Sequence, residues 1–164
     1  PHILIAGGGH VGRCVALVAD SLGWNYSVFD VRKEYSNTDK YPLSNETISM
    51  NTNDFLESED SESIKRFSDI LLLGHDWSVD QELLLGFLKL RKDELRPRIG
   101  AIGSKSKWKS FKKAAMDDGV REEWFENARC PIGIDIGAET PEEIGLAVCA
   151  EILALERKIT HTEN

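Results

Sequence analysis

The chain has little of what marks a secreted, membrane-spanning or nucleic-acid-binding protein. Three cysteines occur among 164 residues, and Cys14, Cys130 and Cys149 have no paired short spacing, so neither a disulfide framework nor a metal site is expected. No apolar run approaches the roughly 20 residues of a membrane span, and Pro1-His2-Ile3 lacks the basic stretch and cleavage pattern of a signal peptide. A cytoplasmic location is expected. Basic residues are outnumbered 20 to 28, a net charge of −8, which excludes general attraction to nucleic acid or an anionic membrane. Any anion must be captured locally. There is no internal repeat and no low-complexity linker. What is present is 41% hydrophobic residues, ample for one domain, expected over residues 1–158 with a polar tail at 159–164. A strand beginning at once behind Pro1 suggests a chain cut at a domain edge.

Ile3 to Ala6 is a short apolar run ended by three glycines, and Val11, Val15, Val18, Ala19 and Leu22 recur at helical spacing behind it. Gly23 stands where a left-handed residue closes a helix, and Tyr26 to Asp30 reads as a second strand ending on an acid. The polar stretch from Val31 to Ser68 offers a short strand at Thr47–Met50 and a short helix at Ser63–Phe67. Asp69–Leu73 is a strongly apolar strand before a leucine-rich helix, Val79–Leu90, with Ser78 as its cap. Arg98–Gly103 is a further strand, Lys105–Met116 an amphipathic helix behind Ser104, and Arg121–Asn127 a shorter helix. Thr140-Pro141-Glu142-Glu143 combines a capping threonine, a first-turn proline and a glutamate three residues on, ahead of a helix from Ile144 to Leu155. Alternating strands and helices imply a Rossmann-like three-layer α/β/α domain with a mostly parallel sheet.

Gly7, Gly9 and Gly12 fit G-x-G-x-x-G between a strand and a helix, the context the motif requires. Gly7 permits the turn, Gly9 lets a pyrophosphate approach the backbone and Gly12 lets the helix pack on the strand. The amides from Gly8 and Gly9 through His10 and Val11 then face an anion. Asp30 stands near the offset of an acid that binds an adenosine ribose, which favours NAD, whereas Arg32 suits the 2′-phosphate of NADP. His75 and Asp76 follow one strand, and Ser104 and Lys105 another, so both pairs fall at the carboxyl edge where ligands bind. His75 is a candidate proton carrier with Asp76 setting its tautomer. Ser104, with Lys105 and Lys107, suits a phosphate, or is a cap followed by solvated lysines. Cys130 is either a reactive thiol or a buried small hydrophobe, Cys14 and Cys149 read as core, and the four tryptophans as packing residues.

Ala6–Gly12, Asp30-Val31-Arg32, Gly74-His75-Asp76, Ile102–Lys105 and above all the ordered run Pro131–Ile144 resemble the C-terminal Rossmann domain of the XdhC/CoxI accessory factors, almost end to end. The resemblance implies a domain that serves molybdenum hydroxylases such as xanthine dehydrogenase and carbon monoxide dehydrogenase. It implies binding of a molybdopterin-type cofactor and help in its maturation and delivery to the apoenzyme. The family's cysteine-containing N-terminal segment has no counterpart here, so direct molybdenum ligation is not expected of these residues. NAD, NADP and molybdopterin all carry the phosphate that the glycine turn wants.

Three functions compete on these grounds. The first is a cofactor-binding accessory domain. The second is an NAD(P)-dependent oxidoreductase with His75 or Lys105 as proton donor, for which a homodimer would supply the missing substrate pocket. The third, a ligand-sensing regulatory domain, leaves Pro131–Ile144 without a purpose.

Overall fold

The computed structural model describes residues 1–159. Six strands, β1 (His2–Ala6), β2 (Asn25–Phe29), β3 (Glu46–Ile48), β4 (Asp69–Leu72), β5 (Arg98–Ala101) and β6 (Ala128–Arg129), form one sheet. Its order is β3-β2-β1-β4-β5-β6, with every pair parallel. Five helices cover it: α1 (His10–Leu22), α2 (Thr52–Ser58), α3 (Trp77–Arg91), α4 (Lys105–Asp117) and α5 (Pro141–Glu156). This is the expected Rossmann-like three-layer α/β/α arrangement. Of the expected polar tail, residues 160–164 lie outside the described residues.

Helices on both faces explain why the central strands read as unbroken apolar runs. Alternate residues of β1 divide between two cores. Ile3 and Ile5 pack with Val15, Ala19, Val148 and Ile152 of α1 and α5, while Leu4 and Ala6 pack with Leu83, Phe87 and Phe111 of α3 and α4. A Cβ at Gly145 would stand 2.9 Å from the Cβ of Cys14, so glycine there lets α1 and α5 touch backbone to backbone.

Several elements differ from expectation. The third strand is shorter and earlier, at Glu46–Ile48, and α2 occupies residues read as polar loop, started by Asn51, whose side chain accepts from the Asp54 amide. Ser63–Arg66 and Glu122–Phe125 are single 3-10 turns. The sixth strand, two residues long, follows the second of these where sequence periodicity is too short to register. α3 is capped by Asp76 rather than Ser78: its carboxylate accepts from the Ser78 amide at 2.9 Å and brings negative charge to the positive helix end. Trp77 is 55% exposed and so is not the packing residue expected. Cys14 and Cys149 are buried, and Cys130 is half-buried.

Candidate functional site

The turn from β1 to α1 is shaped by four glycines with different duties. Gly7 has φ +123°, and a Cβ there would lie 2.7 Å from the backbone of Leu73 and Gly74, so the β1 and β4 ends approach too closely for any side chain. A Cβ at Gly12 would strike the Gly7 carbonyl at 2.1 Å, and one at Gly8 the Tyr35 carbonyl at 1.8 Å. Gly9 is different, because a Cβ there meets nothing within 4 Å. Its freedom from side-chain bulk is space that the fold itself does not use.

The same turn leaves donors free. Gly9 begins α1 with no side-chain cap, whereas Asn51, Asp76, Ser104 and Thr140 cap the other four α-helices through their side chains. The amides of Gly9, His10, Val11 and Gly12 are donors without a protein acceptor among the described hydrogen bonds. Val11 packs inward against the α1 and α5 core, and His10 is exposed.

Asp30 and Arg32 form one wall of a cleft that Gly7, Gly74, His75 and Asp76 complete. Asp30 Oδ2 accepts from the Gly8 amide at 2.9 Å, and Oδ1 from the Arg32 amide at 2.9 Å and its Nε at 3.0 Å. Arg32 Nη2 donates to Oδ2 at 3.2 Å. Burial raises the Asp30 pKa, but the bonds from Arg32 and Gly8 outweigh it and hold the carboxyl below its usual range. Asp30 thus has four donors in this structure, one from Gly8 and three from Arg32. Arg32 also lies 3.8 Å above the Tyr35 ring. Tyr41, which sequence reasoning passed over in polar text, donates its hydroxyl to the Gly8 carbonyl at 2.6 Å.

On the opposite wall, His75 and Asp76 are both exposed, and Asp76 Oδ1 accepts from the amide and hydroxyl of Ser78, with no His75–Asp76 bond among the described hydrogen bonds. Behind them Asp80, fully buried, accepts from the Gly74 amide at 3.2 Å and from Lys107 Nζ at 3.4 Å. Its burial wins over Lys107 and Gly74, raising its pKa to about 6. Lys107 is thus no solvated lysine: it is buried and also donates to the Ile102 carbonyl at 2.9 Å. Ser104 caps α4 by accepting from the Lys107 amide at 3.2 Å, and Lys105 is exposed. Neither lines the Asp30 cleft.

Next to the cleft, the Pro131–Ala138 loop walls a groove of about 560 Å³ with Ile102, Gly103, Ile144 and Ala147. That is large enough for a small organic ligand, whereas the recess at Asp30, about 20 Å³, has room for a single water. Gly133 has φ +101°, which turns the loop back over Ala147. Cys130 at the base of the loop directs its thiol to the Gly103 carbonyl at 3.5 Å, and burial pushes its pKa up. The carboxyl edge thus carries unpaired α1 amides, a charged wall and a largely apolar groove.

The arrangement has relatives. A solved Bacillus halodurans protein described as a xanthine dehydrogenase superposes with TM-score 0.79 at 25% identity, over 96% of this chain and 44% of that one. The uncharacterized Escherichia coli K12 protein YqeB is 30% identical over 156 residues, 95% of this chain, which spans only 27% of YqeB. The NAD(P)-binding domain of an exopolyphosphatase-related protein from Archaeoglobus fulgidus shares the fold alone, with TM-score 0.52 at 20% identity over 69% of this chain and 81% of that one. The family profile described as the XdhC Rossmann domain matches residues 3–152, and the chain belongs to that family.

Proposed function

We propose that this domain holds the phosphate-bearing part of a nucleotide-like cofactor on the Gly7–Gly12 turn and acts as an accessory domain in the maturation of molybdenum hydroxylases in the cytoplasm. The observation that carries the reading is the uncapped start of α1 beside the open space at Gly9. Four helices have their first amides answered by side chains, and this one waits for an anion. Family membership and the likeness to a protein described as a xanthine dehydrogenase support the accessory role and a molybdenum hydroxylase as partner.

A molybdopterin-type cofactor fits the residues present: its phosphate suits the free amides of Gly9 to Gly12, and its ring system suits the apolar groove along Ile132 to Ile136. The group would supply the metal chemistry of the enzyme that receives it. This chain's part is to bind and orient it. NAD or NADP is the other candidate, and here Arg32 favours NADP. With Asp30 already engaged, a ribose 2′-hydroxyl must displace the guanidinium, while a phosphate at that wall gains from it. An NAD(P)-dependent oxidoreductase remains the second reading, favoured by His75 on the cleft wall.

Calorimetry with NAD, NADP and molybdopterin, with and without its dinucleotide extension, tests the proposal. One of these is expected to bind the parent chain and to lose affinity in Gly9→Val. No heat with any of them overturns it. Turnover of a nicotinamide cofactor that disappears in His75→Ala would instead establish the second reading.

A further inference from the structure

The close passage of α1 and α5 has a chemical result that neither helix shows alone. His10 and Cys14 are four residues apart on α1 and therefore share one face. Gly145 draws the first turn of α5 against that face, which brings in Glu142. His10 Nε2 stands 3.1 Å from Glu142 Oε1. An imidazole nitrogen, a thiol sulfur and a carboxylate oxygen all lie within 4.8 Å of one another.

An exposed His–Glu contact by itself is ordinary. The thiol beneath it is buried against Gly145 of α5 and yet has no polar partner among the described residues. Cys149 donates to the Val15 carbonyl and Cys130 to the Gly103 carbonyl, whereas Cys14 has no acceptor among the described hydrogen bonds. Cys14 is buried and fixed by its helix, while His10 and Glu142 are 67% and 66% exposed and free to turn. Donors around a tetrahedral zinc ion, at bond lengths of roughly 2.0–2.3 Å, stand roughly 3.5 Å apart. Rotation of two exposed side chains covers the difference. Mixed N, S and O donors select a borderline divalent cation over magnesium or calcium.

We propose that His10, Cys14 and Glu142 form a three-ligand site for a zinc-class divalent cation at the α1–α5 junction, with a fourth position open to solvent. The site stands beside the glycine turn, since His10 directly follows Gly9. It is independent of which nucleotide, if any, that turn binds. On binding, the Cys14 thiol gives its proton to solvent and the sulfur forms the metal bond, with no change of oxidation state.

The test uses the chain stripped with a chelator, then titrated with Zn²⁺ by equilibrium dialysis and with Co²⁺ by absorbance. One equivalent of metal is expected, and the Co²⁺ form shows a near-ultraviolet thiolate charge-transfer band. The band is expected to vanish in Cys14→Ser and Cys14→Ala and to persist in Cys130→Ser. Loss of a ligand should cost at least as much as loss of a ligand's supporting partner, so His10→Ala and Glu142→Gln are each expected to weaken binding about a hundredfold. Circular dichroism establishes that each variant is folded. A parent Co²⁺ spectrum without the thiolate band overturns the proposal whatever the variants do, as does undiminished binding in Cys14→Ala. Nucleotide calorimetry repeated in chelator keeps the two sites' outcomes separate.

Discussion

The two edges of the sheet are built on opposite principles. At the amino edge most of the buried polar groups are answered, although Arg91 Nε is not. Asp69 receives Arg98 through two bonds of 2.9 Å, Arg98 also reaches Glu156, and Arg91 donates to the carbonyls of Pro97, Trp124 and Glu126. At the carboxyl edge the helix α1 begins without a cap and Gly9 borders empty space. One edge spends its hydrogen bonds on holding the chain together. The other leaves the first amides of α1 unpaired among the described hydrogen bonds.

If that contrast is right, damage at the two edges should be read by different instruments. The largest effect is expected from Asp69→Ala, which leaves the buried Arg98 with Glu156 as its remaining carboxylate: a loss of about 3 kcal/mol, the low end for a broken buried pair, in unfolding free energy by urea titration, with ligand affinity of the folded protein unchanged. Gly9→Val should do the reverse. A Cβ there meets no protein atom within 4 Å, so stability should stay within about 1 kcal/mol of the parent while cofactor affinity drops about a hundredfold, or roughly 2.7 kcal/mol. A Gly9→Val protein that melts early but still binds would break the comparison.

Two carboxylates, Asp80 at the carboxyl edge and Glu156 at the amino edge, carry opposite responses to pH. Asp80, behind the cleft, has a folded-state pKa near 6, above its ordinary 3.8. The native state therefore binds the proton more tightly, and the contribution of Asp80 to stability is present at low pH and lost as pH rises from about 4 to about 6. Burial raises Glu156 at the amino edge too, but Arg98 and Arg96 outweigh it and leave its pKa lowered. Its contribution holds above the usual carboxylate range and is lost as pH falls. Asp30 shares that second sign. Carboxyl-detected NMR should place the Asp80 midpoint near pH 6, and a midpoint near 4 would remove the contrast. The smallest effect is expected from Tyr41→Phe, which takes one donor from the Gly8 carbonyl and should cost about 1 kcal/mol in thermal unfolding.

What the sequence revealed and what it hid follow from range. The β1–α1 unit, the Gly23 cap at φ +70° and the Thr140 capping box are determined by neighbours in the chain, and each is where local chemistry puts it. α2 escaped because seven residues rich in Asn, Asp and Glu carry no apolar period long enough to register. The two-residue β6 is a strand only because Ile99 and Gly100 lie beside it. In the site, the glycines were legible and the state of Asp30 was not, since the bond from Gly8 across 22 residues, which joins three from Arg32, depends on the folded turn. Lys107 shows the same limit: a serine- and lysine-rich stretch reads as surface, and only the buried Asp80 draws that ammonium inward. His10 and Glu142 meet across 132 residues, beyond any motif.

Gly8 is gripped from both sides, with Asp30 on its amide and Tyr41 on its carbonyl. The polar excursion after β2 therefore works as a splint for the glycine turn, not as decorative loop. Transplanting Gly7 to Gly12 into another scaffold would carry over the letters without the rigidity unless residues 30–41 travel with them.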